Sequence, residues 1–188
     1  MKQLKIISFL CVIFLSGCSY LFAATAQTSC QKASNTCKVS AENIYFTYQK
    51  ASNSDAMLIT LSAKTTGWVA VGFGATDDMR DANIIMGYIN KDNQPVISNE
   101  YGVGKWSHKS MASLNAPTEV QLISGKYENG WTTIQFTIPL ESKDKKYGKV
   151  FKTGSNISVI LAYGPNGKKN FTSYHQFRAK GEITDFKL

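Results

Sequence analysis

The chain reads as an all-β protein, an antiparallel β-sandwich of roughly nine or ten strands in a single domain spanning about residues 38–188. Three observations predict this. Apolar residues recur with period two in short runs, the runs are separated by segments rich in Gly, Asn, Asp and Pro, and no stretch sustains a helical period. A length of 188 residues suffices for one substantial core, and 43% hydrophobic residues, with 10 Phe, 9 Tyr and 3 Trp, exclude a disordered chain.

The elements follow in chain order. Lys2 and Lys5 form a basic start, and residues 6–15 an apolar stretch of the length of a signal-peptide core, too short to span a bilayer. Residues 1–26 are therefore read as a signal peptide. Its cleavage has two readings. Leu15-Ser16-Gly17-Cys18 is similar to the bacterial lipobox, in which the cysteine is lipidated and becomes the new N-terminus, and this is the reading adopted. Ala24-Thr25-Ala26 offers an alternative cut near Ala26, which would make Cys18 one apolar residue of a longer signal peptide. No later apolar segment approaches 18 residues, so the mature domain is not expected to cross a membrane.

Of four cysteines, Cys11 lies in the signal peptide and Cys18 is the lipid candidate. Cys30 and Cys37 remain and are expected to pair as a disulfide in an oxidising compartment. A Cys-x-x-Cys-His motif does not occur, which excludes a covalently attached c-type haem.

Ile44, Phe46 and Tyr48 alternate with polar neighbours. "AMLITLSA", "WVAVGF", "NIIMGYI", "EVQLIS", "WTTIQFTI" and "NISVILAY" follow as strand-length runs. "ASNSD", "KDNQP", "YENG" and "GPNGKKN" stand between them as turns. Without Lys2 and Lys5 the formal charge falls from +8 to +6, with much of the excess in "KDKKYGKVFK". That segment is read as a solvated loop; a basic face also steers acidic partners or rests on anionic lipid. No nucleic-acid-binding motif accompanies the charge.

A sandwich of this kind places chemistry on end loops. Two loops stand out. "TDDMRDAN" sets Met79 among charges directly after "GWVAVGFG", whose Gly72 and Gly74 allow close approach to the backbone. "FTSYHQFR" carries His175; if extended, it places Phe171, Ser173, His175 and Phe177 on one face, turning the imidazole toward apolar surroundings. Taken singly, such a histidine is more often a core residue and such a methionine a gap-filler. Together, imidazole nitrogen and thioether sulfur form a strong-field axial pair for haem iron, a pair that leaves no open position and so suits electron transfer.

These runs resemble a known family. "GWVAVGFG", "DDM", "DANIIMGYI", "GWTTIQFTIPL", "SVILAYGPNG" and "YHQFRAKGEI", over about residues 40–186, are similar to the DOMON family, whose haem-binding branch includes the cytochrome domain of cellobiose dehydrogenase. The resemblance implies an immunoglobulin-like sandwich holding haem b non-covalently at one end, with Met79 and His175 as axial ligands. It implies Arg178 as a partner for a haem propionate, or else a rim salt bridge. The acidic Asp77, Asp78 and Asp81 are expected to face solvent while Met79 turns inward.

The expected function is one-electron transfer in a bacterial cell envelope, periplasmic or lipid-anchored to a membrane, with a redox partner protein and no catalysis by the chain itself. The alternative is a haem-free DOMON module binding a carbohydrate or a protein. Trp106 is the exposed aromatic candidate for a sugar, Trp131 is assigned to the core, and His108, between Lys105 and Lys109, to a surface loop. Two histidines in all preclude a three-histidine metal site, and no nucleophile with a base, nor a phosphate-binding glycine loop, is evident.

Overall fold

A computed structural model describes residues 24–31, 35–52 and 54–188. The signal-peptide core and Cys18 lie outside the described residues.

Two sheets stack face to face. The seven-stranded sheet runs β1 (Ala24–Thr25), β13 (Phe177–Ile183), β12 (Ile157–Tyr163), β6 (Val69–Phe73), β7 (Asn83–Ile89), β8 (Pro95–Gly104), β9 (Ser107–Ser110). The six-stranded sheet runs β10 (Gln121–Glu128), β11 (Trp131–Pro139), β5 (Ala56–Ala63), β4 (Ile44–Lys50), β3 (Thr36–Ala41), β2 (Gln27–Gln31). Every pairing is antiparallel except β1 on β13. A 3₁₀ turn, Ala112–Leu114, follows β9. Among the described residues no helix is long and apolar enough to cross a membrane.

The expected strands form because their period-two residues fill the space between the sheets. Phe46 and Tyr48 of β4, Ile59 and Leu61 of β5, Ile134 and Phe136 of β11, and Val159 and Leu161 of β12 are buried together. The described residues make thirteen strands, more than predicted from the pattern. β2 carries "QTSCQ" and β9 "SHKS", polar edge strands with no hydrophobic alternation to reveal them. β8 interrupts its apolar residues with the buried polar pair Asn99 and Glu100, so it shows no clean alternation. β10 begins at Gln121, is bulged between Leu122 and Ser124, and runs on to Glu128; the tight turn after it is Asn129-Gly130, both at positive φ.

Cys30 and Cys37 form a disulfide between directly opposed positions of β2 and β3. β1 and β2 join different sheets, and Ala26 between them is buried in the core, its N–H donating to the Lys180 carbonyl at 2.7 Å. Trp131, expected in the core, instead lies on the outer face of the six-stranded sheet against the Tyr45 ring, 5.7 Å between centroids. The parity of β11 requires this, because Thr132, Ile134 and Phe136 take the inward positions.

An aromatic chain closes the core between the sheets. Phe73 meets Phe46 and Phe151 edge to face at 5.7 and 5.3 Å, and Phe186 stacks on Tyr48 at 5.4 Å. Phe73 is fully buried, so Phe73→Ala leaves a cavity bordered by two rings. The expected loss is about 3–5 kcal/mol of folding stability, read from the urea midpoint. A loss under about 1 kcal/mol would mean that the rings re-pack freely.

Candidate functional site

The seven-stranded sheet is apolar on both faces at its centre. In β6 the side chains of Val69, Val71 and Phe73 enter the main core. The alternate Ala70 joins Ile84, Met86 and Trp68 in a second buried cluster on the outer face, with Ile160 and Ala162 of β12 packed against it. The residues on this face are small where β6 and β12 adjoin: Ala70, Gly72 and Ala162. A Cβ on Gly72 would lie 2.6 Å from the Ile160 side chain. They floor a cavity of about 200 Å³ whose wall includes both Met79 and His175. Trp106 and Tyr174, 64% and 86% exposed, stand at its mouth.

Met79 reaches the cavity on the loop between β6 and β7. The Thr76 N–H bonds to the Arg80 carbonyl, Arg80 N–H to Asp77, and Ala82 N–H to Met79, a sequence of tight turns with Asp78 and Asp81 at φ 51° and 63°. Aspartate tolerates this left-handed backbone better than most residues. The loop rests on the β8–β9 hairpin through Met79 N–H to Lys105 O (3.3 Å), Asp81 N–H to Gly102 O (2.8 Å) and Gly102 N–H to Ala82 O (2.9 Å). A Cβ on Gly102 would fall 1.5 Å from the Met79 carbonyl oxygen, so only glycine admits this contact.

His175 is placed by the connection from β12 to β13. The Asn170 side-chain oxygen accepts from the N–H groups of Thr172 (3.0 Å) and Ser173 (2.8 Å), turning the chain. The Trp68 indole N–H donates to Ser173 Oγ at 2.9 Å, and Gln176 N–H returns to Tyr163 O at 2.8 Å. The segment is therefore bent, not extended. Phe171 packs on Tyr88 in the outer cluster while Phe177 stacks on Tyr163 beside the main core, so the two rings do not share a face.

The mouth is cationic. Lys105, Arg178 and Lys180 line it, and Asp78 is the acidic side chain among the lining residues. Arg178 lies over the Trp106 ring, 5.8 Å from its centroid. Contrary to the sequence expectation, the Asp78 side chain is only 12% exposed; it bonds to Lys180 and lies 3.7 Å from Lys105. The Lys180 hydrogen bond, reinforced by the charges of Lys180, Lys105 and Arg178, holds its carboxyl below the usual carboxylate range against the cost of burial. Asp77 is exposed, 3.4 Å from Lys105, and Asp81 accepts from Thr76 Oγ1 (2.6 Å) and Tyr101 OH (3.1 Å).

His108 is the residue that sequence reasoning left on the surface. It lies on β9, half-buried, and lines the same cavity; its Nδ1 is 3.0 Å from Glu100 Oε2, and Ser98 Oγ donates to Glu100 Oε1 at 2.6 Å. A period-two reading of "KWSHKS" opposite "SNEYG" would have paired them, but neither run has the apolar pattern that marks a strand.

An apolar, cation-rimmed cavity with a thioether and an imidazole on its wall, built on the outer face of a two-sheet sandwich, is the candidate site of this β-sandwich. The DOMON domain matches residues 40–164, and the chain belongs to that family. Two solved structures share the fold. The cytochrome b domain of pyranose dehydrogenase from Coprinopsis cinerea aligns with a TM-score of 0.56 at 13% identity, covering 85% of this chain and 81% of that one. The cytochrome domain of cellobiose dehydrogenase from Myriococcum thermophilum aligns with a TM-score of 0.57 at 10% identity, covering 87% and 89%. No curated protein sequence matches the chain.

Burial, and after it the Arg178 charge, push the His175 pKa below the ordinary 6.5, which keeps the ring neutral and its lone pair free at neutral pH. A histidine depressed in the folded state contributes stability above the unfolded value, and that contribution is lost as pH falls through the folded value. Arg178→Gln removes the second cause only, so His175 should titrate closer to, but still below, 6.5 in an NMR titration of the ligand-free protein. An unchanged His175 titration would show that Arg178 does not act on the ring.

Proposed function

We propose that the protein is an exported one-electron carrier that holds haem b non-covalently, with Met79 and His175 as its axial ligands. The observation that carries this reading is the convergence of the two side chains, from separate loops, on the wall of one apolar cavity. The donor set fits. One sulfur and one neutral nitrogen would complement a porphyrin's four nitrogens, the Ala70, Ile84 and Ile160 surface would suit its flat apolar face, and Arg178, Lys105 and Lys180 its carboxylates. The mouth is open between exposed aromatics, so an occupant is not confined to the enclosed volume. Bound there, haem supplies an iron centre that changes oxidation state by one electron. The Met79 thioether favours the ferrous form. Asp78, which unpaired would favour the ferric form, is offset by Lys180.

The chain has no catalytic role in this reading; oxidation or reduction of a substrate belongs to a redox partner protein in the envelope. Exposed Trp106 and Tyr174 favour, as a second reading, a haem-free module stacking a sugar at the same mouth. Haem titration separates the two. The purified protein should develop a six-coordinate low-spin spectrum with a thioether-to-ferric charge-transfer band. His175→Ala should weaken haem binding by more than the ~10–100-fold typical of losing an outer-shell partner. A protein that takes up no haem, while its tryptophan fluorescence responds to sugars, would establish the second reading.

Attachment to the membrane through Cys18 is part of the proposal, and β1 supports it. Ala24–Thr25 pair with β13 and Ala26 is buried, so a cut near Ala26 would remove an edge strand and part of the core. Mass spectrometry of the mature protein should find an N-terminus at lipidated Cys18, and Cys18→Ala should release the protein from the membrane fraction or block its maturation. A mature chain starting at Gln27 would overturn the assignment.

A further inference from the structure

The structure holds a second imidazole at this cavity, His108, and its surroundings are those of a positioned ligand. Glu100, with its side chain 8% exposed, accepts from Ser98 through Oε1 and from His108 Nδ1 through Oε2, so both carboxylate oxygens are engaged. A carboxylate on Nδ1 selects the tautomer whose lone pair is on Nε2 and fixes the plane of the ring, the arrangement that metal-binding histidines commonly show. The ring lies on a strand of the sheet, and it lines the cavity that Met79 and His175 line.

His108 and Met79 are neighbours through one residue. Gly102 is the register partner of His108 across β8–β9, and the Met79 carbonyl lies where a Gly102 side chain would be. The two are held by different means. Met79 lies on a loop with Asp78 and Asp81 in left-handed backbone on either side, whereas His108 is held by the β8 ladder and the Glu100 carboxylate.

We propose that His108 is a reserve axial ligand, taking the place of Met79 as the partner of His175 when the thioether is released. The inference rests on the haem reading above. It gives the site two coordination states of opposite preference: thioether and imidazole, which favours ferrous iron, and two imidazoles, which favours ferric iron. With His108 available, loss of the Met79 thioether would not leave a position open to water.

The test uses the full mature protein loaded with ferric haem and read by visible and electron paramagnetic resonance spectroscopy. Met79→Leu should lose the thioether band yet remain six-coordinate and low-spin, with the signature of two imidazoles and a lowered potential. Adding His108→Leu, with Glu100→Gln to avoid an unpaired buried carboxylate, should convert it to a high-spin centre. Where that variant does not fold, His108→Gln keeps a donor to Glu100 and should give the same high-spin result. Single Glu100→Gln in the Met79→Leu background should leave a low-spin centre that turns high-spin at a higher pH than its parent, because the imidazole is less firmly held. A high-spin Met79→Leu protein, or a low-spin signal that survives loss of His108, overturns the proposal. The Met79–His175 reading stands apart from either result when the wild type binds haem as a low-spin centre that His175→Ala abolishes and its thioether band is lost with Met79→Leu. A wild type that takes up no haem overturns both.

Discussion

The structure depends on a strand that is buried on both sides. β6 sends Val69, Val71 and Phe73 into the space between the sheets and Ala70 and Gly72 to the opposite face, and all five residues are buried. Antiparallel sheets usually leave one face to water, and their strands alternate accordingly. Here the outer face at β6, β7 and β12 is apolar as well, so something other than the second sheet must cover it. Loops from either end cover its margins, and the small residues at its centre leave the cavity.

Covering loops have to be fixed without a core of their own, and the molecule does this in two ways. The Met79 loop borrows the backbone of β8 and β9, with Gly102 permitting the approach, the Asp78–Lys105 pair joining it to the β8–β9 turn and the Asp78–Lys180 pair tying it across the mouth to β13. The His175 loop is held from beneath, by the Trp68 indole on Ser173. That indole is itself seated against Gly164, where a Cβ would lie 2.3 Å from its nitrogen. Buried hydrogen bonds of this kind contribute about 1 kcal/mol each, little for stability but enough to fix where a ring can stand. The cations at the mouth act on the site in a graded manner. They offset the largely buried Asp78, and Arg178 helps to keep His175 neutral.

The sandwich architecture was legible in the sequence because inward residues must alternate. Ile44, Phe46 and Tyr48, the run "AMLITLSA" and the run "WTTIQFTI" are strands for that reason, and glycine and asparagine punctuate them for equally local reasons. Strands without an apolar face left no trace. β2, β8 and β9 exist because a neighbouring ladder accepts their backbone, and the "YENG" turn shortened to its last two residues because β10 could continue pairing with β11. Trp131 was misplaced for a related reason: hydrophobicity says that a ring will be covered, and parity decides on which face of the sheet.

The same division holds at the site. By itself the sequence determined the residue types able to hold a cofactor, the loops that carry them, and the family, since those follow from side-chain chemistry and from turns spanning a few residues. Only the tertiary structure decided that Met79 and His175 line one cavity, that Asp78 turns toward it and is paired there, that Phe171 and Phe177 part to different clusters, and that His108 joins the site with Glu100 behind it. Each of those outcomes depends on strands far apart in the chain becoming neighbours in a sheet. Contact between residues brought together by strand order is not encoded in any local pattern.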